Sequence, residues 1–187
     1  IKSLTTEEIE ETALTSHEKP SIAVLPFDNM SGDSEQEYFS DGITEDIITA
    51  LSHLRWLNVI ARNSSFTYKG QSPDIRQVAD ELNCRYVLEG SIRKAGNRVR
   101  INAQLLEGLS GNHIWAEKYD RELEDIFDLQ DEITEAVLGA IEPSLVLAEI
   151  ERAKRKHPEN MDAYDLFLQG LPGLYTFDIE KKSLANE

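Results

Sequence analysis

Two short runs that are almost wholly apolar, residues 21–27 (SIAVLPF) and 57–61 (LNVIA), constrain this chain more than any other feature. A strand can carry apolar side chains on both faces only where both are covered, and such strands belong mainly to parallel sheets flanked by helices. Between the runs, Ile43, Ile47, Leu51 and Leu54 recur at helical spacing, with Ser40 or Asp41 as the expected N-cap. After the polar stretch 62–72, Pro73 and Asp74 open a second helix with Ile75, Val78, Ala79 and Leu82 on one face. Strand, helix, strand, helix in this order predicts parallel pairing through right-handed crossovers.

The pattern changes at residue 85. Residues 85–94 and 98–107 read as two long strands around Ala95-Gly96-Asn97. In the second, Val99, Ile101, Ala103 and Leu105 alternate with Arg98, Arg100, Asn102 and Gln104. Period-two alternation means one buried face and one wet face, and the Gly-Asn turn makes the pair an antiparallel hairpin. Gly111-Asn112 then leads into residues 113–120, where Ile114, Ala116 and Lys118 oppose Trp115, Glu117 and Tyr119. The expectation is an α/β (α+β) fold in the order β-α-β-α-β-β-β-α. Its mixed sheet has about five strands, a parallel first part continued by an antiparallel meander, with helices packed on it.

A long helix is expected from about Leu123, with Ile126, Leu129, Ile133, Val137, Ala140 and Ile141 as its buried stripe, and with a kink or restart at Pro143. Pro158 and Asn160 start a further helix carrying Ala163, Tyr164, Phe167 and Leu168. The chain thus divides into an acidic linker at 1–19, an α/β domain at 20–142 and a helical extension at 143–187. Beyond Ile141 the helix keeps Leu145, Val146 and Ile150, an apolar stripe suited to self-association as a homodimer or to folding back on its own sheet.

A formal net charge of -16 disfavours polyanionic partners, so nucleic acid binding by this domain is not expected. The short basic cluster at 152–156 suits a solvated helix end. No apolar run approaches the roughly 20 residues of a membrane span. The start lacks the marks of a secretory signal, and the lone Cys84 excludes an intrachain disulfide. A cytoplasmic setting is the expectation, or a periplasmic one if an upstream signal or span has been removed.

Reactive constellations are scarce. His17, His53, His113 and His157 fall in no metal-ligand spacing, and Cys84 reads as a small buried hydrophobe. Ser31-Gly32-Asp33 follows a strand and precedes a helix, yet it has one glycine, no lysine and acidic neighbours that repel phosphate. Asp41, Glu45 and Asp46 read as first-turn acids that complement a helix N-terminus. No catalytic, cofactor or metal set is therefore assigned. The segment 61–69 (ARNSSFTYK) is the best candidate surface, because it follows the carboxyl end of a parallel strand and combines a cation, hydrogen-bonding groups and two aromatics. Asn29, Ser31, Arg62, Asn63, Ser64, Ser65, Phe66 and Tyr68 are its candidate ligand or partner residues.

The runs KPSIAVLPFDNMSGDSEQEYFSDGITEDIITALS, VIARNSSFTYKG, YVLEGSIRKAGNRVRINAQL and HIWAEKYDRELEDIFDLQDEI together resemble the TolB-type N-terminal-like domain, over residues 19–153. The likeness is to the version in bacterial proteins with a class III adenylate/guanylate cyclase domain before it and tetratricopeptide repeats after it. PENMDAYDLFLQG resembles the entry into such repeats, although Pro172 interrupts the helix a regular repeat would need. The resemblance implies a non-catalytic regulatory or interaction module whose partners are its own flanking domains. The same module occurs behind winged-helix DNA-binding domains, so a transcriptional regulator is an alternative parent. A small-ligand or nucleotide sensor is another.

Overall fold

A computed structural model describes residues 19–123, 125–155, 165, 166, 168 and 170. Lys19–Ser144 forms one compact unit, and the described residues from Leu145 onward belong to a second. The N-terminal linker and most of the helix expected after Pro158, including Ala163, Tyr164, Phe167 and Pro172, lie outside the described residues.

The first unit is built on a mixed sheet whose strands lie in the order Asn58–Val59 (β3), Ser21–Val24 (β1), Tyr86–Ala95 (β4), Arg98–Glu107 (β5) and His113–Glu122 (β6). β1 (Ser21–Val24) runs parallel to β3 (Asn58–Val59) on one side and to β4 (Tyr86–Ala95) on the other. β5 (Arg98–Glu107) and β6 (His113–Glu122) add antiparallel strands beyond β4. The expected mixed sheet, with a parallel part and a meander, is therefore present. It has six strands, because β2 (Asp28–Asn29) pairs parallel with the far end of β4, Asp28 opposite Ser91. β4 outruns the four-residue β1, and the chain leaving β1 fills the vacated pairing positions.

Helices cover the two sheet faces unequally. α1 (Glu37–Ser52) buries Phe39, Ile43, Ile47 and Leu51. Its Thr44 Oγ1 accepts a hydrogen bond from Phe27 N at 3.1 Å and donates to Ser40 O, tying the helix to the chain that leaves β1. After a short helical segment, α2 (Arg62–Ser65), α3 (Ile75–Glu81) packs Val78 and Ala79, with Ile75 and Leu82 alongside, on Ala23, Leu25 and Val87. Side chains alternate along a strand, so this is the face opposite to that of Ile22, Val24, Tyr86 and Leu88. Asp74 caps α3 by accepting from Arg76 N, and Asn83 at φ 48° closes it while Cys84 N returns to Ala79 O.

α4 (Ile126–Arg155) buries Leu129, Ile133, Val137 and Ile141, as its stripe predicts. Arg121 of β6 pairs with Glu132 of α4. Arg121 shares a strand face with buried Tyr119, which lies opposite Ile101, so α4 covers that face of the meander. The reverse face of β5 and β6 carries Arg100, Asn102, Lys118 and Asp120, all exposed.

Three local expectations are corrected. α1 begins at Glu37 after a 3-10 turn at Ser34–Gln36, not at Ser40 or Asp41. Ser40 sits inside the helix and back-bonds to Gln36 O, so Asp41, Glu45 and Asp46 are not first-turn acids. α4 begins at Ile126 rather than Leu123, because β6 continues to Glu122 and Leu123 N bonds Asn97 O. Asp125 Oδ1 then takes the free amides of Phe127 and Asp128. Pro143 lies within one continuous helix, Ile126–Arg155, so the helix does not restart there.

Close approach explains one glycine in a strand. A Cβ on Gly90 would strike the Phe27 ring and lie 2.6 Å from Asn102 O. Gly139, by contrast, faces open space on α4. Gly90→Ala should lose about 1–3 kcal/mol of unfolding free energy, since a backbone carbonyl is among the obstructing atoms. Gly139→Ala should gain about 0.5–1 kcal/mol. Urea denaturation of the two variants checks both signs.

Candidate functional site

The connection leaving β1 runs to α1 and then to β3 on one side, whereas the connection leaving β3 runs through α3 to β4 on the other. Adjacent parallel strands whose connections diverge leave a crevice at their carboxyl ends, where open sheets take ligands. Here the crevice is a pocket of about 240 Å³. Leu25, Pro26 and Asp28 line it after β1, Tyr68, Gln71, Ser72 and Pro73 after β3, and Glu89, Gly90, Ser91 and Gln104 along the meander. It lies where the α3-covered part of the sheet gives way to the uncovered face.

Its walls are polar and acidic. Burial pushes the Glu89 carboxyl above the usual carboxylate range; nearby His113 opposes the shift and the Asp28 charge adds to it. Burial, then the Glu37 charge, pushes Asp28 the same way. Gln104 Nε2 donates to Glu89 Oε1 at 3.3 Å, and Asn102 Nδ2 donates to Ser91 Oγ at 3.1 Å. The Tyr68 hydroxyl donates to Glu81, and that bond is the main reason its pKa rises to about 12. The two amide bonds cross from β5 to β4 on the polar face of the sheet, and Glu89, Asp28 and Ser91 bring oxygen acceptors to the lining of the crevice. Such a site suits a polar or cationic group.

The candidate residues 62–68 do not form one surface. Tyr68 lines the crevice. Arg62 points toward α1, with Nε 3.2 Å from Glu45 Oε2 as an ion pair and its guanidinium stacked 3.9 Å from the centre of the Phe66 ring. Arg62 thereby borders a separate groove of about 470 Å³ lined by Tyr38, Asp41, Glu45, Asp46, Phe127 and Asp131, among others. Burial there, with the charges of Asp131 and Glu45, holds the Asp46 carboxyl above its usual range. Ser65 is fully buried, with no hydrogen-bond partner for its hydroxyl, while Asn63 and Ser64 are exposed. Asn29 and Ser31 staple their own loop. Asn29 Nδ2 donates to Asp33 O and its Oδ1 accepts from Ser31 N, while Ser31 Oγ accepts from Lys94 N.

Glu89, Gln104, Gln71 and Asp28 line the crevice although the sequence reading did not single them out. The available signal was Glu89-Gly90, a charge and a glycine inside an otherwise buried strand. Cys84 is buried in the α3 cluster, and burial raises its thiol pKa to about 11, an inert environment. In the second unit Leu145 and Ile150 are buried, and Val146 packs on a cluster of Ile150, Ala153 and Leu168. Arg152 there pairs with the buried carboxylates of Glu149 and Asp165. Among the described residues of that unit Leu147 and Leu166 are exposed. Among the described residues no cluster of His, Cys, Asp and Glu could hold a metal, and no helix is long and apolar enough to cross a membrane.

Fold and crevice define a mixed α/β domain of parallel-plus-meander architecture with one sheet face partly uncovered. Residues 17–136 match the family described as HilA/YgeH-like transcriptional regulator, second domain, and the chain belongs to that family. It is also similar to a protein of Rhizobium meliloti (strain 1021) named "Putative adenylate cyclase 3", with 58% identity over 160 residues. That match covers 86% of this chain and 27% of the relative, so the chain spans about a quarter of the relative's length. Solved structures with a similar fold include the lipoprotein GNA1162 from Neisseria meningitidis, at 17% identity and TM-score 0.49 over 66% of this chain and 99% of that one. TolB from Acinetobacter baumannii matches at 17% identity and TM-score 0.45, over 66% of this chain and 28% of that one. The LpoB C-terminal domain from Salmonella enterica matches at 20% identity and TM-score 0.44, over 55% and 82%.

Two predictions follow from the burial pattern. A carboxyl whose pKa is raised by folding binds its proton more tightly in the fold than in the unfolded chain. Its contribution is therefore full below the unfolded value and is lost as pH rises through the folded one. Glu89→Gln should raise the melting temperature at pH 7, and the gain should vanish below roughly pH 4, where Glu89 is protonated in both states. Thermal unfolding at the two pH values checks it; a lower melting temperature at pH 7 would show that the Glu89 charge is held favourably. Ser65→Ala removes a buried hydroxyl that has no partner, so urea denaturation should show stability unchanged or raised by about 1 kcal/mol.

Proposed function

We propose that this chain is a non-catalytic regulatory and protein-interaction module of a larger bacterial signalling protein. The observation that carries the reading is the uncovered polar face of the meander with the crevice at its border. Its side chains are already joined in rows, Glu89 to Gln104, Ser91 to Asn102 and Arg100 to Asp120. Groups held this way are preorganised for recognition, and none of them is an activated nucleophile beside a base.

In this reading the domain is TolB-N-like and lies in the cytoplasm. An adenylate or guanylate cyclase domain, or a winged-helix domain, precedes it, and tetratricopeptide repeats follow. Support for a multidomain parent comes from the cyclase-named relative, of which this chain matches only 27%, and from membership in a family described by a regulator's second domain. The isolated chain, given ATP or GTP with Mg²⁺ or Mn²⁺, should form no cyclic nucleotide. In the full-length parent, Gln104→Arg should obstruct the crevice and change regulated output several-fold, while the melting temperature of the isolated domain stays constant. Turnover by the isolated chain, or unchanged output of the folded variant, would overturn the reading.

The carboxyl groups of Glu89 and Asp28 lining the crevice favour a second reading, a sensor for a small cationic or polar ligand. A ligand at a hundredfold excess over its Kd stabilises the fold by about 2.7 kcal/mol. Thermal-shift screening of amines, sugars and nucleotides separates the two: a shift abolished by Glu89→Gln supports the sensor, and no shift across the panel leaves the protein partner.

A further inference from the structure

We propose that β6 is a self-pairing edge, through which two copies of this chain join their sheets about a two-fold axis at Tyr119. The inference concerns a surface apart from the crevice and does not depend on what the crevice binds. The two ends of the sheet are unlike. β3 closes one end with two residues, whereas β6 offers ten at the other, without a proline and, among the described residues, without a strand on its outer side. A long unpaired edge is a template for another strand unless charges or irregularities block it. The register shift on this side falls opposite Leu105 and Leu106, at the start of β6, leaving residues 116–122 regular.

The charges on β6 decide which pairing is allowed. In an antiparallel pair of identical strands the central residue faces its own copy, and positions equidistant from it face each other on the same side of the sheet. Registers centred on Glu117, Lys118, Asp120 or Arg121 each set a charge directly against itself, which is destabilising. Centring on Tyr119 removes every such clash. Lys118 then faces Asp120 of the second copy on the uncovered side, and Glu117 faces Arg121 on the helix-covered side, each pair occurring twice. Tyr119 is held for that position: it is buried, its hydroxyl donates to Glu117 Oε2 at 3.1 Å, and the Arg121 guanidinium lies 6.0 Å from its ring centre. The same charges that reject neighbouring registers select this one, so the occupant of the edge is a second copy rather than an arbitrary extended peptide.

Cysteine pairing reads the register directly. Lys118→Cys and Asp120→Cys are substitutions at solvent-accessible positions, and the native Cys84 is buried. Under mild oxidation neither variant alone should form a disulfide-linked dimer, because position 118 faces 120 and not itself. An equal mixture of the two should form one. Introducing Lys118→Glu into a partner that carries Asp120→Cys, mixed with the Lys118→Cys chain, should reduce the yield several-fold while circular dichroism shows an intact fold. Sedimentation of the unmodified chain at high micromolar concentration should show a dimer. A monomer there, no cross-link in the mixture despite reactive thiols, or equal cross-linking by either variant alone would overturn the proposal.

Discussion

Strand β4 is the constraint on which the rest of the structure depends. Its first half pairs parallel with β1 through Tyr86, Val87 and Leu88, its second half pairs parallel with β2, and its whole length pairs antiparallel with β5. Tyr86, Val87, Leu88 and Ile92 are essentially inaccessible to solvent. The strand therefore joins two kinds of sheet that differ in how they bury themselves. The parallel part needs cover on both faces, and the meander needs it on one. At Gly90 the Phe27 ring and the β5 backbone leave no room for a Cβ.

The functional surface follows from that junction. α3 is only seven residues long and covers β1 and the start of β4, so cover on its side stops partway across the sheet. The step between covered and uncovered strands is the crevice, and Glu89, Ser91 and Gln104 face it because they lie on the α3 side of β4 and β5, beyond the point where the cover of α3 ends. Desolvation, with neighbouring acidic charge added, raises the carboxyls of Glu89 and Asp28, and His113 only partly offsets the shift at Glu89. In a chain of net charge -16, such a pocket repels anions and welcomes donors or cations.

Much of the architecture was legible in the sequence because periodicity reports burial. Residues 21–27 announced a strand covered on both faces, and residues 98–107 a strand covered on one. Ile43, Ile47 and Leu51 of α1, Val78 and Ala79 of α3, and Leu129, Ile133, Val137 and Ile141 of α4 are buried where their spacing placed them, and the outer members of the stripes are partly buried. What was hidden depends on partners far along the chain. The two residues of β2 have no pattern of their own and pair only because β4 is long. The candidate segment 62–68 was read as one surface, but it folds as a short helix and a 3-10 turn, Arg62–Ser65 and Phe66–Tyr68. Helical geometry spreads successive side chains around an axis, sending Arg62 to α1, Ser65 inward and Tyr68 to the crevice. Glu89 and Gln104, fifteen positions apart, meet only across the β4–β5 register.

Native-state hydrogen exchange with increasing denaturant tests most directly whether β4 unites the sheet. If it does, the slowest amides of β1, β4 and β5 open together, with a common free energy equal to that of global unfolding. Loss of protection in β5 and β6 at a markedly lower free energy, with β1 and β4 still closed, would show that the meander is a separate unit. The crevice would then lack the fixed wall assigned to it here.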